Sequence, residues 1–190
     1  MYDDHGVTGS CAVLGDTGSI RVENFSLGCG SFSIAYWARV NHVVDEGFPI
    51  CSNKDWHWSI RGGLGFGMAF RMHDIIFNLA DGHDRQEINV GFPEDVGEGW
   101  VHFLHVLDRE KREIRIYANF REVYRADLFE SLVGVGDTGL PFCIGNDARG
   151  DFSCDRYHLL LTMDDFIMFG DALTDKDTET LAAYYGMKPQ

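Results

Sequence analysis

The sequence predicts an all-β fold, a sandwich or a barrel, on three observations. Short runs rich in branched and aromatic residues recur at intervals of about eight to twelve residues, with turn-forming residues between them. The run SFSIAYWARV at 31–40 alternates cleanly: Phe32, Ile34, Tyr36 and Ala38 take one face, and Ser33, Ala35, Trp37 and Arg39 take the other. Twenty-two glycines against four prolines supply many tight turns without a linker-like composition.

In chain order, residues 1–10 are polar and Gly-bearing, a leader or interdomain linker, and 11–190 form one domain large enough for a sizeable core. Short strands at 11–14 and 19–22 flank the turn composition Gly15-Asp16-Thr17-Gly18. A strand at 48–52 runs into Asn53-Lys54-Asp55-Trp56-His57-Trp58. Residues 65–70 and 75–79 make a hairpin, and 86–90 a further strand. The central stretch 99–124, GWVHFLHVLDREKREIRIYANFREVY, reads as two strands, 100–107 and 114–118, joined by the charged reversal 108–113. Strands at 140–144 and 162–169 follow, separated by a long polar loop.

One short C-terminal helix closes the chain. Thr174 is a good N-cap with Asp177 three residues on, and Leu181, Tyr184 and Tyr185 share one face. Gly186 can take the left-handed closing position and Pro189 forbids continuation. Its expected role is to cover one edge or end of the sandwich.

The formal net charge of −14 repels polyanions, so neither nucleic acid nor an anionic membrane surface is an expected partner. No apolar run reaches transmembrane length, and the first twenty residues lack a basic segment followed by an apolar core. Membrane insertion is therefore not expected, nor is an export signal within the numbered residues, and location stays open. The five cysteines, 11, 29, 51, 143 and 154, contain no CxxC pair, which disfavours zinc. Cys51 and Cys143 sit in apolar runs as small hydrophobes, and a Cys143–Cys154 bridge stays open.

Six segments carry a resemblance. SFSIAYWARV resembles the "FTISFWVK" strand, and the central hairpin the "GxWHHVAVTFDRxxxxxxLYVDGE" hairpin, of concanavalin A-like, laminin-G-like jelly rolls. ICSNKDW and IFNLADGHDR resemble the "ILSNKDW" and "NxxDGxxR" of a bacterial subgroup. LPFCIGND resembles "LxIGxD", and MDDFIMFGDALTDKDTETLAAYY the closing "IDDVRIYNRALSxxEIxxLY". The segments keep the family's order across 13–185. The resemblance implies a two-sheet antiparallel jelly-roll sandwich, an extracellular or cell-surface setting and neighbouring domains of a longer bacterial protein.

Three positions depart from the pattern. Phe120 stands where Gly is usual, so the turn after Asn119 is expected not to be the two-residue type. His105 replaces an apolar residue and is expected as a neutral, hydrogen-bonded core histidine. Val101 replaces the first His of "WHH", which argues against a functional role for His102.

Several folds of this superfamily are glycanases, yet no predicted strand carries the paired carboxylates that glycoside hydrolysis needs. Asp164 and Asp165 are adjacent and point to opposite faces of a strand, and Glu94 and Glu98 lie in a loop. GxSxG, phosphate-loop and HExxH motifs are also missing. The expected function is non-catalytic recognition of a glycan or polysaccharide, needing no cofactor. The alternatives are a structural or protein-interaction domain appended to an enzyme, and a glycan-cleaving enzyme.

The candidate ligand residues lie at strand ends: Asn53, Asp55, Asn78, Asp81, Arg85, Asn146 and Asp147 to hold paired hydroxyls, with Trp56 or Trp58 as a platform for a sugar ring. The same residues, with Lys54, can instead be a salt-bridged loop staple. A structural Ca2+ is the further expectation, with Asp16, Asp81, Asp84, Asp147, Asp151, Asp164 and Asp165 as oxygen donors.

Overall fold

A computed structural model of the chain describes residues 2–15, 18–40, 48–55, 63–71, 74–92, 99–150 and 160–187. Thirteen strands and one α-helix lie among them: β1 (Tyr2–Asp3), β2 (Cys11–Gly15), β3 (Ile20–Val22), β4 (Phe32–Val40), β5 (Phe48–Ser52), β6 (Gly65–Arg71), β7 (Asp74–Ala80), β8 (Arg85–Gly91), β9 (Val101–Asp108), β10 (Glu113–Ala118), β11 (Arg121–Asp127), β12 (Phe142–Ile144), β13 (Leu160–Phe169) and α1 (Asp175–Tyr184). They form two antiparallel sheets, β1-β2-β13-β4-β9-β10-β11 and β3-β12-β5-β6-β7-β8. The fold is a jelly-roll sandwich.

The alternation read in 31–40 sets which face is buried. Phe32, Ile34 and Tyr36 of β4 enter the core with Phe103 and Leu107 of β9, and meet Phe66, Met68, Ile75 and Phe77 of the six-stranded sheet. Each such side chain contributes about 1.5–3 kcal/mol by leaving water, which makes this layer the main source of stability. His105 also points inward. Its Nε2 lies 3.0 Å from the Tyr36 hydroxyl, its ring stacks on Tyr36 and Phe77, and burial pulls its pKa down to about 3. The ring is therefore neutral, as a core position demands.

The other face of β4 is covered too. Ala35, Leu104, Val106 and Tyr117 form one apolar cluster with Leu173 and Leu181, and Trp37, Phe120 and Ala182 form a second with Trp100 and Tyr185. Helix α1 is laid over this outer surface of the seven-stranded sheet. Its start is fixed by a full capping box, with Thr174 and Asp177 satisfying each other's backbone N–H. Its buried stripe is Thr178 and Ala182 beside Leu181 and Tyr185, whereas Tyr184, expected on that face, is 75% exposed. Gly186 takes the left-handed closing conformation at φ 68°.

Two further expectations change. The central stretch is a three-strand meander, because 121–127 forms β11 on the sheet edge. Its mixed exposure leaves no apolar alternation to read, as suits an edge strand. The turn into it does have two residues, Asn119 at φ 48° and Phe120 at φ 64°, the left-handed pair of a type I′ hairpin. The Phe120 ring explains why this is tolerated. It stacks on the His102 imidazole with centroids 4.1 Å apart and meets Trp37 edge-on. Burying an aromatic ring there outweighs the roughly 1–2 kcal/mol of a left-handed backbone.

Cys11, Cys51 and Cys143 are buried free thiols and Cys29 is an exposed one. The second member of the bridge left open above, Cys154, lies outside the described residues.

Candidate functional site

The strand-end constellation is present but most of it faces inward. Asn53, which follows β5, is 1% exposed. Its Oδ1 accepts from the Phe66 amide at 2.8 Å and its Nδ2 donates to the Gly136 carbonyl at 3.2 Å. Its own backbone bonds to Phe66 and to the Thr138 hydroxyl. Every polar group of Asn53 is thus used to join β5, β6 and the loop before β12.

Lys54 is 5% exposed, and its Nζ donates to Asn78 Oδ1 at 2.6 Å. Asn78 Nδ2 in turn donates to Glu87 Oε2 at 2.9 Å. The register makes this chain possible, since Gly67 pairs with Asn78 and Asn78 with Glu87 across β6, β7 and β8. Burial first and the Arg85 charge second push the Lys54 pKa down to about 8, while Glu87 and Asp55 partly oppose them. Lys54 forms no salt bridge among the described residues; its direct partner is a neutral amide.

Asp55 is paired with Arg149, and the Ala148 amide bonds to the Lys54 carbonyl at 3.0 Å, which ties the loop after β12 to the end of β5. There Asn146 Oδ1 accepts from the Asp147 amide, and Asp147 Oδ1 accepts from the amides of Arg149 and Gly150. Asp81 closes the β7–β8 turn by accepting from the His83 and Asp84 amides, which hold its carboxyl below the usual carboxylate range. Arg85 alone of the described candidates is exposed with no side-chain hydrogen bond or salt bridge among the described residues. Trp56 and Trp58 lie outside the described residues.

The structure therefore joins Asn78 to Lys54, joins Asp55 through Arg149 to the turn of Asn146 and Asp147, builds Asn53 into the framework, and sets Arg85 near Lys54. Among the described residues the aspartates proposed for calcium do not converge. Asp164 accepts from the Thr8 amide and Asp165 from the Tyr185 hydroxyl, Asp81 and Asp147 hold turns, and Asp16 and Asp151 lie outside the described residues. Among the described residues no group of three or more His, Cys, Asp or Glu is placed to hold a metal ion.

A laminin-G-type family model of the concanavalin A-like lectin/glucanases superfamily matches residues 14–178. The chain belongs to this superfamily. A search of curated proteins finds no match to this laminin-G-like domain. Among solved structures it is similar to the binding domain of Paraclostridial Mosquitocidal Protein 1, with a TM-score of 0.76 and 15% identity over 97% of this chain and 45% of that one. It is similar to the binding domain of Botulinum neurotoxin DC in complex with rat synaptotagmin II, at TM-score 0.73 and 17% identity over 97% of this chain and 45% of that one. A botulinum neurotoxin type C structure, described as entering cells through two ganglioside molecules, matches at 0.68 and 19% over 91% and 42%. At these identities the likeness is one of fold. The laminin-G-like domain spans less than half of each of those chains.

Sequence reasoning missed one feature of the laminin-G-like domain. A pocket of about 230 Å³ opens between the β10–β11 turn and α1, with Tyr117, Phe120, Glu122, Asp175 and Glu179 among its walls. Its residues come from two elements far apart in sequence, so no local motif marks it. The one available signal is Phe120 in a Gly position.

Proposed function

We propose that this laminin-G-like domain is a non-catalytic recognition module whose ligand is carbohydrate, carried by a larger bacterial surface or secreted protein. One observation carries the reading: the exposed Arg85 side chain lies near the buried Lys54, whose pKa burial and the Arg85 charge push down, and neither has a salt-bridge partner among the described residues. The exposed Arg85 guanidinium, beside a second positive charge, suits a ligand rich in oxygen acceptors, as a saccharide is. The kinship with lectins and the fold shared with receptor-binding domains support the same class of function.

The test is a glycan array probed with wild type and Arg85→Ala, an exposed substitution that leaves the fold intact. Binding by wild type that is lost in the variant supports the proposal. Absence of wild-type signal, or an unchanged variant, overturns it. Capture of a protein partner without glycan signal would instead favour an interaction domain.

A further inference from the structure

We propose that the C-terminal half of α1 is an acid-released cover over His102, closed while that ring is neutral and lifted from the sheet when the ring takes a proton. The inference does not rest on the reading given for Lys54 and Arg85.

His102 projects from β9 onto the outer face of the seven-stranded sheet and is 0% exposed. Phe120 stacks on its ring at 4.1 Å, Trp37 meets it edge-on at 5.2 Å, and Tyr185 at the end of α1 lies against it at 5.6 Å. Neither ring nitrogen has a hydrogen-bond partner among the described residues. A polar ring enclosed by three aromatics and left unmatched costs stability, and a charged ring there costs far more. Burial first and the His105 ring second hold the His102 pKa down to about 3.

The charged groups around the ring offer the proton no partner. Outward on β4, Arg39 lies over the Trp100 ring and near Asp3. On α1, the Tyr185 hydroxyl donates to Asp165 of β13. Beyond Phe120 stand Arg121, Glu179 and Glu122, the last held by Arg125. None of them bonds to the imidazole.

Of the elements around His102, α1 can open without dismantling the sheet. Its entry is pinned: Ser33 Oγ donates to the Asp171 carbonyl and accepts from the Leu173 amide, and Arg115 donates to the Leu173 carbonyl and to Asp175. Its exit rests on the packing of Ala182 and Tyr185 and on the Tyr185–Asp165 bond. The helix therefore hinges at its entry. A helix of ten residues is marginal on its own, so a lifted end frays and opens its amides to exchange.

The closed form excludes the proton, and the open form binds it near the ordinary histidine value of 6.5. Opening therefore gains about tenfold for each pH unit below that value. The upper part of this window lies above the ordinary carboxylate values, which isolates the histidine.

The experiment is hydrogen exchange on the whole chain between about pH 7.5 and 5, each rate divided by that of an unstructured amide at the same pH. Protection at the 181–185 amides should be constant at the upper end and fall about tenfold per unit below about 6.5, while the β9 amides stay more protected throughout. His102→Phe keeps a ring in place without an ionising group, and should make the response flat. Tyr185→Phe removes the bond to Asp165, and should lower protection several-fold at every pH with the slope unchanged. In wild type the 13C shift of the His102 ring should keep its neutral value in the closed form down to about pH 5, a reading that needs no variant. The inference is overturned by a pH-independent wild type, by a slope that survives in His102→Phe, or by 181–185 and β9 amides that exchange together. A His102 ring that titrates near 6.5 with protection intact also overturns it.

Discussion

Two polar regions of this domain put their side chains to different uses. At the end of β5, Asn53, Lys54 and Asn78 are buried and spend their hydrogen bonds on neighbouring strands. Beside α1, Glu122, Asp175 and Glu179 edge an open pocket, with Glu122 held by Arg125 and Asp175 by Arg115 and Tyr117. The contrast teaches that polarity at a strand end is not a sign of ligand contact. A buried amide whose donors and acceptors are all matched is framework, because breaking any of those bonds inside the protein leaves an uncompensated polar group.

The comparison can be broken most forcefully at Asn53. Asn53→Ala strands the Phe66 amide and the Gly136 carbonyl, and should lower unfolding stability by about 2–4 kcal/mol in urea titrations. A loss under about 0.5 kcal/mol, the range of surface substitutions, would return Asn53 to the ligand-facing class.

Phe120→Gly should have the next largest effect on stability. Losing the ring from the His102 and Trp37 contacts outweighs the relief of a left-handed phenylalanine, for a net loss of about 2 kcal/mol. A variant more stable than wild type would mean the ring does not anchor the turn.

Lys54 gives a pH test with a definite sign. Its folded pKa, about 8, lies below the ordinary lysine value of 10.5, so the unfolded chain binds the extra proton between those limits. Its contribution to stability therefore rises as pH climbs from about 8 towards 10.5, and is lost as pH falls through 8. Measured against Lys54→Met, wild type should gain up to roughly 2–3 kcal/mol over that range. A difference that stays flat with pH would place Lys54 in solvent.

The smallest effect is expected at Asp81. Its lowered pKa means that the turn it closes is supported above the carboxylate range and released as pH falls through that pKa. Asp81→Ala should loosen the β7–β8 turn, seen as faster exchange of the His83 and Asp84 amides, with the melting temperature almost unchanged.

These differences also explain what the sequence could reveal. The β4 alternation and the central apolar runs give the sheets directly, because a period of two and one buried face leave a pattern in the residues. The capping box of α1 is legible for the same local reason. Asn53 and Asn78 are recognisable as special, but whether their amides face ligand or backbone depends on Phe66, Gly136 and Glu87, which the fold supplies from other strands. The α1 pocket is invisible for a stronger version of that reason, since 117–122 and 175–182 meet only after the sheet and helix have packed.

The division between framework and open site turns on one amide. Phe66 N–H donates to Asn53 Oδ1 at 2.8 Å, beneath the rim. Native-state hydrogen exchange at Phe66 should require global unfolding, with protection equal to that of the β9 core amides. Exchange at the rate of a surface loop would show that Asn53 swings free and that its side chain is available to meet a ligand.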